Sequence, residues 1–339
     1  MTTPFNEDYL IRSDAYAENM NSLVLPFLRK AEKSSILQTG DGHPLYSVCY
    51  EAENPLGTVL IVHGFTENAL KYSELIWSLL HLRYSVIAYD QRGHGRSWRE
   101  NGIPDPSVTH VDHFTEYVDD MKTICNHYSS MLPCPWYVFA HSMGGAVAAL
   151  FLERNPGFFS AAVLSSPMIA PNLGGVPASL AKALGRCASF LGQKRNKPFF
   201  MKLYSGPEDF NTSCATDPSR FAWYDAIKSS RREFQNSVPS YQWSIESIHV
   251  TEQILSAGMP EKIDCPVLLF SADQDSSVLS GPQAELIARI RKGKLVFVPG
   301  SKHEIYRSRD EVLFPWWHHV ILFFSDPSSY GMNEGGQPL

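Results

Sequence analysis

The stretch Val138-Phe139-Ala140-His141-Ser142-Met143-Gly144-Gly145 decides the fold of this chain. An apolar strand runs into a serine with small neighbours, and an apolar helix follows it. A turn sharp enough to lift Ser142 Oγ clear of a sheet strains the serine backbone, so the positions two before and two after it must be small. Ala140 and Gly144 meet that requirement, although glycine is usual at the first place. We interpret the stretch as a nucleophile elbow; the alternative is a glycine-rich turn with an incidental serine.

The elbow belongs to a pattern in which apolar strands alternate with amphipathic helices. Strands are predicted at residues 45–51, 58–62, 84–89, 136–140, 161–165, 266–271 and 294–298. Helices are predicted around residues 72–80, 114–121, 146–153, 283–290 and 311–324. Strands that are apolar throughout and alternate with helices predict a mostly parallel sheet covered on both faces.

The alternation breaks at Pro167 and resumes at Pro266. The stretch between them is far longer than an ordinary crossover and contains short helical patterns, Gly, Pro and many aromatic residues. We therefore predict an inserted, mainly helical cap. The expected division is a first part of the core at 1–166, the cap at 167–260, a second part of the core at 261–327 and a flexible tail at 328–339.

The two last predicted strands each end in a candidate partner for the serine. One leads into Ala272-Asp-Gln-Asp275 and the other into Pro299-Gly-Ser-Lys-His303. Ligands of parallel sheets bind at the carboxyl ends of the strands. In folds that carry a nucleophile elbow, the catalytic residues follow one another along the chain as serine, then acid, then histidine. We predict His303 as the base and Asp275 as the acid that orients it. Asp275 is preferred to Asp273 because it lies further along the loop.

The loop His63-Gly64-Phe65 follows an early strand and is the candidate oxyanion hole. The expected donors are the backbone N–H groups of Phe65 and Met143, and one such donor is worth about 2.7 to 4 kcal/mol in the transition state. We count His63 and Gly64 among the substrate-binding candidates. Gly64 allows close backbone approach, whereas His63 is expected to form structural hydrogen bonds, as is His141.

Composition and charge exclude several classes of function. A net charge of −6 provides no general basic field for nucleic acid. The six cysteines form no C-x-x-C pair, and the turn at 90–97 lacks the spacing of a phosphate-binding loop, so we expect neither metal nor cofactor. The N-terminal residues lack the apolar segment of a secretory signal, and no apolar run reaches the length of a membrane span. We expect a soluble, cytoplasmic protein.

The quoted motifs carry a family resemblance. His63-Gly64, Asp90-x-Arg-Gly-His-Gly-x-Ser97, His141-Ser-Met-Gly-Gly145, Asp275 and His303-Glu304 resemble the monoacylglycerol lipase and lysophospholipase branch of the α/β-hydrolases. Further motifs are similar to the bacterial lysophospholipase L2 group: Phe114-x-x-Tyr117-Val-Asp-Asp120, Thr216-Asp-Pro-Ser-Arg-Phe221, Ser240-Tyr-Gln-Trp243 with Glu246-Ser247, and His303-Glu-Ile305.

The resemblance implies an α/β-hydrolase fold with an inserted cap and cleavage of a lysophospholipid or monoacylglycerol ester. It implies no cofactor, a location at the inner face of the cytoplasmic membrane, and Tyr241 and Trp243 as substrate-binding candidates. Three alternatives stay open: a general carboxylesterase, a proline-type serine aminopeptidase and a catalytically inactive binding protein of the same fold. A complete triad with an oxyanion loop argues against the last of these.

A basic stretch in the predicted cap indicates a partner. Residues 171–207 contain six basic side chains and no acidic one: Lys182, Arg186, Lys194, Arg195, Lys197 and Lys202. Aromatic and aliphatic side chains are interleaved with them. This combination suits peripheral contact with an anionic membrane surface, to which each basic residue adds about 1 kcal/mol. A solvated helical surface whose aromatic residues pack on the core is the alternative.

Overall fold

A computed structural model describes residues 9–330. The tail predicted from 328 onward therefore falls mostly outside the described residues, apart from 328–330. The described part forms ten strands: β1 (Lys33–Gln38), β2 (Pro44–Tyr50), β3 (Gly57–Val62), β4 (Tyr84–Tyr89), β5 (Val108–Thr109), β6 (Trp136–His141), β7 (Ala161–Ser165), β8 (Val238–Pro239), β9 (Val267–Gln274) and β10 (Gly293–Lys302).

Helices cover both faces of the main sheet. Within residues 9–330 the α-helices are α1 (Tyr16–Asn19), α2 (Leu25–Ala31), α3 (Ser73–His81), α4 (Thr115–Tyr128), α5 (Met143–Arg154), α6 (Ala178–Phe190), α7 (Pro218–Ser230), α8 (Tyr241–Ile254), α9 (Ser280–Arg289) and α10 (Asp310–Ser325). Two buried apolar clusters, one on each face of the sheet, join the helices to the strands.

The main sheet has eight strands in the order β1-β2-β4-β3-β6-β7-β9-β10. β2 pairs antiparallel with β1 and β4, whereas the pairs from β4 to β10 are parallel. Every residue of β3, β4, β6 and β7 is buried. The predicted α/β fold, with a mostly parallel sheet between helices, is confirmed.

The N-terminal segment is more regular than the sequence pattern indicated. It contains α1, α2 and the edge strand β1, none of which was predicted. β1 reads Lys-Ser-Ser-Ile-Leu-Gln, and its residues are exposed or half-buried. An edge strand with one pairing partner needs little apolar periodicity, so the pattern on which the prediction depended is absent here.

Residues 167–260 connect β7 to the strand β9 and contain α6, α7 and α8; we call this segment the insert. α6 packs on α8 at Gly185, where an added Cβ would come within 2.6 Å of Ile245. α7 is instead fixed to the core through Arg220, whose side chain is fully buried. The division of the chain into core and cap stays a prediction.

Arg220 connects three distant parts of the chain. Its guanidinium donates to Glu74 of α3 at 3.0 Å, to Asp310 of α10 at 2.9 Å and to the Ile11 carbonyl at 2.5 Å. Its N–H groups also reach Ser13 Oγ at 2.8 Å. A buried guanidinium is tolerated only when its donors are satisfied, so these partners fix α7 relative to the core and to the N-terminal segment.

Glu153 is an unusual charge on α5, the helix that begins at the elbow. Its side chain is 1% exposed, and both carboxylate oxygens lack a hydrogen-bond partner among the described residues. Burial raises the pKa of Glu153 from 4.5 to about 8, although Arg154, Lys262 and Arg289 act in the opposite direction. The folded protein therefore favours the neutral acid.

We predict that Glu153→Gln removes a pH-dependent loss of stability. Between about pH 5 and pH 8 the folded state binds the Glu153 proton more tightly than the unfolded state, so the free energy of unfolding falls by up to about 1.4 kcal/mol per pH unit. The Gln variant should match the wild type near pH 5 and exceed it near pH 8. Urea unfolding, followed by tryptophan fluorescence, measures this difference, and the substitution Glu53→Gln at an exposed position is the control. Parallel pH profiles of unfolding free energy for wild type and Glu153→Gln would contradict the prediction.

Candidate active site

The elbow has the strained geometry that the sequence pattern requires. Ser142 adopts φ 51° and ψ −119°, between the end of β6 and the first residue of α5. The turn is so tight that a Cβ at Gly144 would lie 2.2 Å from the Val62 carbonyl oxygen, and one at Gly145 would lie 2.4 Å from Pro167 Cβ. Ala140 is fully buried in β6 and is accommodated there. Glycine is therefore required on the helix side of the serine.

The structure brings the three predicted triad residues into one hydrogen-bonded chain. Ser142 Oγ lies 2.8 Å from His303 Nε2, and His303 Nδ1 lies 2.8 Å from Asp275 Oδ2. Ser142 is 8% exposed and His303 is 6% exposed, so the chain is largely shielded from water. This geometry suits removal of the serine proton by an imidazole that a carboxylate orients.

The loop after β9 holds Asp275 in place. Its Oδ1 accepts hydrogen bonds from the backbone amides of Ser277 and Val278, at 2.9 and 3.0 Å. Burial alone would raise the pKa of Asp275, but the hydrogen bonds from His303 and from these amides outweigh burial and lower that pKa. Asp273 is exposed and accepts the Gly300 amide at 3.1 Å. The carboxylate that contacts His303 is therefore Asp275.

The loop after β3 lies directly against the serine. A Cβ at Gly64 would come within 3.0 Å of Ser142 Cβ, so only glycine allows this approach. Met143 is the first residue of α5, where backbone N–H groups are not used by the helix. Phe65 follows Gly64 in the loop beside Ser142, and Met143 follows Ser142 in the chain; their role as oxyanion donors stays a prediction.

A buried carboxylate that the sequence pattern did not reveal supports this loop. Glu67 is 3% exposed and accepts from the Gly64 amide at 2.6 Å, Lys71 Nζ at 2.8 Å, Tyr72 Oη at 2.5 Å and Tyr306 Oη at 2.6 Å. Burial acts to raise the pKa of Glu67, but Lys71 and the other donors hold it well below its usual range. Glu67 is therefore an anion with four donors.

The same cluster continues into the histidine loop. Lys71 Nζ also donates to Glu304 Oε1 at 2.6 Å, and Arg307 donates to Glu304 Oε2 at 2.6 Å. Lys71, Glu304 and Arg307 alternate in charge and are largely buried. Glu304 directly follows His303, so the cluster joins the loop that precedes the serine to the loop that holds the base. In the sequence, only the adjacency of Glu304 to His303 could have indicated this cluster of charges.

Two histidines near the serine form structural hydrogen bonds. His63 Nε2 accepts from the Gln91 amide at 2.9 Å, and its Nδ1 lies 2.7 Å from the Gly64 carbonyl. His141 Nδ1 lies 3.0 Å from the Ser165 carbonyl, and burial lowers the pKa of His141 to about 4. His63 thus braces the loop next to Gly64 with both ring nitrogens occupied, and a direct contact with substrate stays a prediction.

The two substrate-binding candidates on α8 have different surroundings. Trp243 is buried, its ring lies 4.2 Å from that of Phe65, and its Nε1 donates to Tyr117 Oη at 3.2 Å. It therefore lines the oxyanion loop. Tyr241 instead contacts another part of the insert, since its Oη accepts from the Phe199 amide at 3.2 Å and its own amide donates to the Asn196 carbonyl. A contact of Tyr241 with substrate stays a prediction.

Two features are absent from residues 9–330. No group of three or more His, Cys, Asp or Glu side chains there is arranged to hold a metal ion. No helix in the same residues is both long and apolar enough to cross a membrane.

Comparison with known proteins agrees with this geometry. The family model described as serine aminopeptidase, S33, matches residues 53–310. Lysophospholipase L2 of Escherichia coli K12 is 27% identical over 355 aligned residues, which cover 97% of each chain. Monoacylglycerol lipase of Mycolicibacterium smegmatis is 33% identical over 147 residues, or 42% of this chain and 50% of the lipase.

Solved structures with the same fold include two ester hydrolases. Monoacylglycerol lipase of Paleococcus ferrophilus superimposes with a TM-score of 0.64 at 20% identity, covering 84% of this chain and 99% of the lipase. A carboxyl esterase from Bacillus coagulans gives a TM-score of 0.67 at 19% identity, covering 87% and 98%. The chain belongs to the serine aminopeptidase, S33, family of α/β-hydrolases. It is a serine ester hydrolase of the lysophospholipase and monoacylglycerol lipase branch of that family.

Proposed function

We propose that this enzyme hydrolyses the carboxylic ester of a lysophospholipid or a monoacylglycerol through an acyl-enzyme on Ser142. The observation that carries the proposal is the chain of two 2.8 Å hydrogen bonds from Ser142 through His303 to Asp275. A lipid ester is favoured because relatives that match along most of this chain in sequence include lysophospholipase L2 of Escherichia coli and a probable lysophospholipase L2 of Haemophilus influenzae. The location that goes with this substrate is the cytoplasm, at the inner face of the cytoplasmic membrane.

The proposed reaction has two steps. His303 takes the Ser142 proton as Oγ attacks the ester carbonyl, and the oxyanion binds to the Phe65 and Met143 amides. His303 then protonates the departing glycerol-type alcohol, which leaves the acyl group on Ser142. Water attacks this ester by the same route and restores the free serine, while Asp275 stabilises the imidazolium in both steps.

We predict that Ser142→Ala and His303→Ala each lower kcat by roughly 10⁴-fold or more, without unfolding the protein. Their combination should be little worse than either single change, because the triad acts as a unit. The measurement is hydrolysis of monoacylglycerol and lysophospholipid, with circular dichroism as the folding check. A serine-directed phosphonate should label Ser142 alone, and labelling of a different serine sinks this assignment.

The two aspartates of the loop after β9 provide a matched pair. Asp275→Asn should lose most activity because the amide cannot stabilise the imidazolium, whereas the exposed Asp273→Asn should stay within a few-fold of the wild type. Proline p-nitroanilide in the same assays tests the aminopeptidase alternative. Efficient cleavage of that amide, with little cleavage of lipid esters, would replace the lipid substrate in this proposal.

We further propose that the insert docks on a membrane through an apolar face. Its exposed large apolar side chains are Val176, Leu180, Leu184, Phe190, Leu191, Phe199 and Phe200, with Phe190 91% exposed and Phe199 84% exposed. Three of them, Leu180, Leu184 and Leu191, repeat at helical spacing on or just after α6. An apolar patch of this kind on a soluble enzyme suits contact with lipid.

The basic side chains of the insert contribute less than their number indicates. Lys194 donates to Asp112 at 2.7 Å, Arg195 donates to Glu100 at 2.9 Å, and Lys182 pairs with Glu252. These three charges are partly neutralised by the carboxylates that they contact. Arg186 and Lys202 are the exposed members of the stretch, so the apolar side chains supply more of the proposed docking.

We predict that Phe190→Ser, Phe199→Ser and Phe200→Ser together weaken co-sedimentation with vesicles of mixed anionic and zwitterionic phospholipid by at least tenfold. Each aromatic ring buried in the lipid contributes about 1.5 to 3 kcal/mol to the free energy of membrane binding. Hydrolysis of a short water-soluble ester should be unchanged. Leu56→Ser with Met131→Ser, which alters exposed apolar residues elsewhere, is the control. Equal vesicle binding by wild type and triple variant rejects this surface.

A further inference from the structure

A cavity of about 530 Å³ lies between the insert and the two loops that form the site. Thr66, which follows Phe65, and Glu304, which follows His303, both line it. Its other wall is the part of the insert from residue 202 to residue 228. The Glu304 amide donates to the Cys214 carbonyl at 3.0 Å, which holds this wall against the histidine loop. The cavity is therefore next to both the oxyanion loop and the base.

The charged side chains that line the cavity fall into two sets. One set is internally paired: Lys71 and Arg307 with Glu304, and Lys228 with Glu208 at 2.5 Å. The charged groups of the other set are not paired with one another. Because paired charges have little capacity for a ligand, this second set decides what the cavity can bind.

Lys202, Asp209 and Asp225 form the second set. Lys202 has no ion-pair partner within residues 9–330. Asp209 Oδ1 accepts from the Asn211 amide at 3.0 Å, and Asp225 Oδ1 accepts from the Glu208 amide at 3.0 Å. The Oδ2 atom of each carboxylate has no hydrogen-bond partner in the described part of the chain. The cavity thus offers one cation and two carboxylate oxygens to a ligand.

The aromatic rings of the lining are already occupied. Lys228 Nζ lies 5.5 Å from the centre of the Tyr204 ring, and the Arg307 guanidinium lies 5.7 Å from that of Phe221 and 5.6 Å from that of Tyr224. A quaternary ammonium group binds to open aromatic faces, because it has no N–H to donate. A primary ammonium group has three N–H donors and binds to carboxylates. The free groups of this cavity match the primary ammonium.

We propose that this cavity is a head-group site for a ligand that carries a phosphate and a primary ammonium, with the phosphate on Lys202 and the ammonium on Asp209 and Asp225. The inference deepens the proposed lipid-ester reaction and rests on it, since the ligand is then the alcohol portion of an ethanolamine lysophospholipid. Thr66 connects the two sites, because Phe65 is the proposed oxyanion donor and Thr66, the next residue, lines the cavity. A substrate whose carbonyl binds the Phe65 amide therefore has its head group beside the cavity.

The kinetic test compares three substrates that carry the same short acyl chain: the ethanolamine lysophospholipid, the choline lysophospholipid and the monoacylglycerol. Each is used below its critical micelle concentration. Asp209→Asn with Asp225→Asn should lower kcat/KM for the ethanolamine lipid at least about tenfold, because two charged hydrogen bonds are lost, and should leave the monoacylglycerol unchanged. Lys202→Gln should lower kcat/KM for both lysophospholipids. Glu53→Gln and Lys292→Gln, both exposed and outside the cavity, are the controls.

A binding measurement separates this inference from the proposed reaction. Ser142→Ala protein titrated with glycerophosphoethanolamine should bind it, and the Asp209→Asn, Asp225→Asn and Lys202→Gln changes should each weaken binding. Binding without lysophospholipid hydrolysis by the wild type would refute the reaction and keep the head-group site. Hydrolysis with no head-group preference and no binding would refute the site and keep the reaction. A parallel loss on the monoacylglycerol would also refute the site, since the residues would then support the fold or the triad.

Discussion

The site depends on a buried chain of alternating charges, Glu67, Lys71, Glu304 and Arg307. Each of these side chains is charged and largely buried, and each is satisfied only while its neighbours stay in place. Glu67 holds the Gly64 amide and Glu304 follows His303, so the chain of charges sets the distance between the oxyanion loop and the base. The strained serine contributes the third fixed point, because Gly144 packs directly on the β3 carboxyl end. Three loops from distant parts of the sequence are thereby held in one arrangement.

The sequence allowed the sheet, the elbow and the partners of the serine to be predicted because each depends on a local signal. Strand apolarity, small residues around Ser142 and the position of Asp275 and His303 just after late strands are all readable along the chain. The charges that support the site are not readable in this way. Glu67 and Lys71 look like the polar face of an ordinary surface helix, since nothing in their spacing indicates burial. The partners of the basic stretch were not readable for the converse reason: Lys194 and Arg195 look unpaired in the sequence, because Asp112 and Glu100 are 82 and 95 residues away from them. Tyr241, at the start of α8, forms hydrogen bonds with Asn196 and Phe199, and its role in substrate binding stays a prediction.

The insert has two chemically different surfaces, and both bear on a lipid substrate. Its outer surface around α6 exposes aromatic and aliphatic side chains, whereas its inner wall, from 202 to 228, faces the catalytic loops with charged groups. An amphipathic lipid has the same division between acyl chain and head group. The apolar contact of Phe65 with Trp243 lies beside the serine, and the charged cavity begins at the next residue, Thr66. The change from apolar to polar surroundings thus occurs within one residue of the proposed oxyanion donor.

Arg220 makes the insert inseparable from the two ends of the chain. Its donors are satisfied by Ile11 and Ser13 from the N-terminal segment, by Glu74 beside the oxyanion loop and by Asp310 at the start of the last helix. An insert transplanted from a relative, or a chain shortened at its N-terminus, would leave a guanidinium or its carboxylates buried without partners. Recombination between members of this family can therefore exchange α6 and the segment after it more freely than α7. Changes in α6 and the segment after it can therefore alter the substrate range, whereas α7 is inherited together with the core.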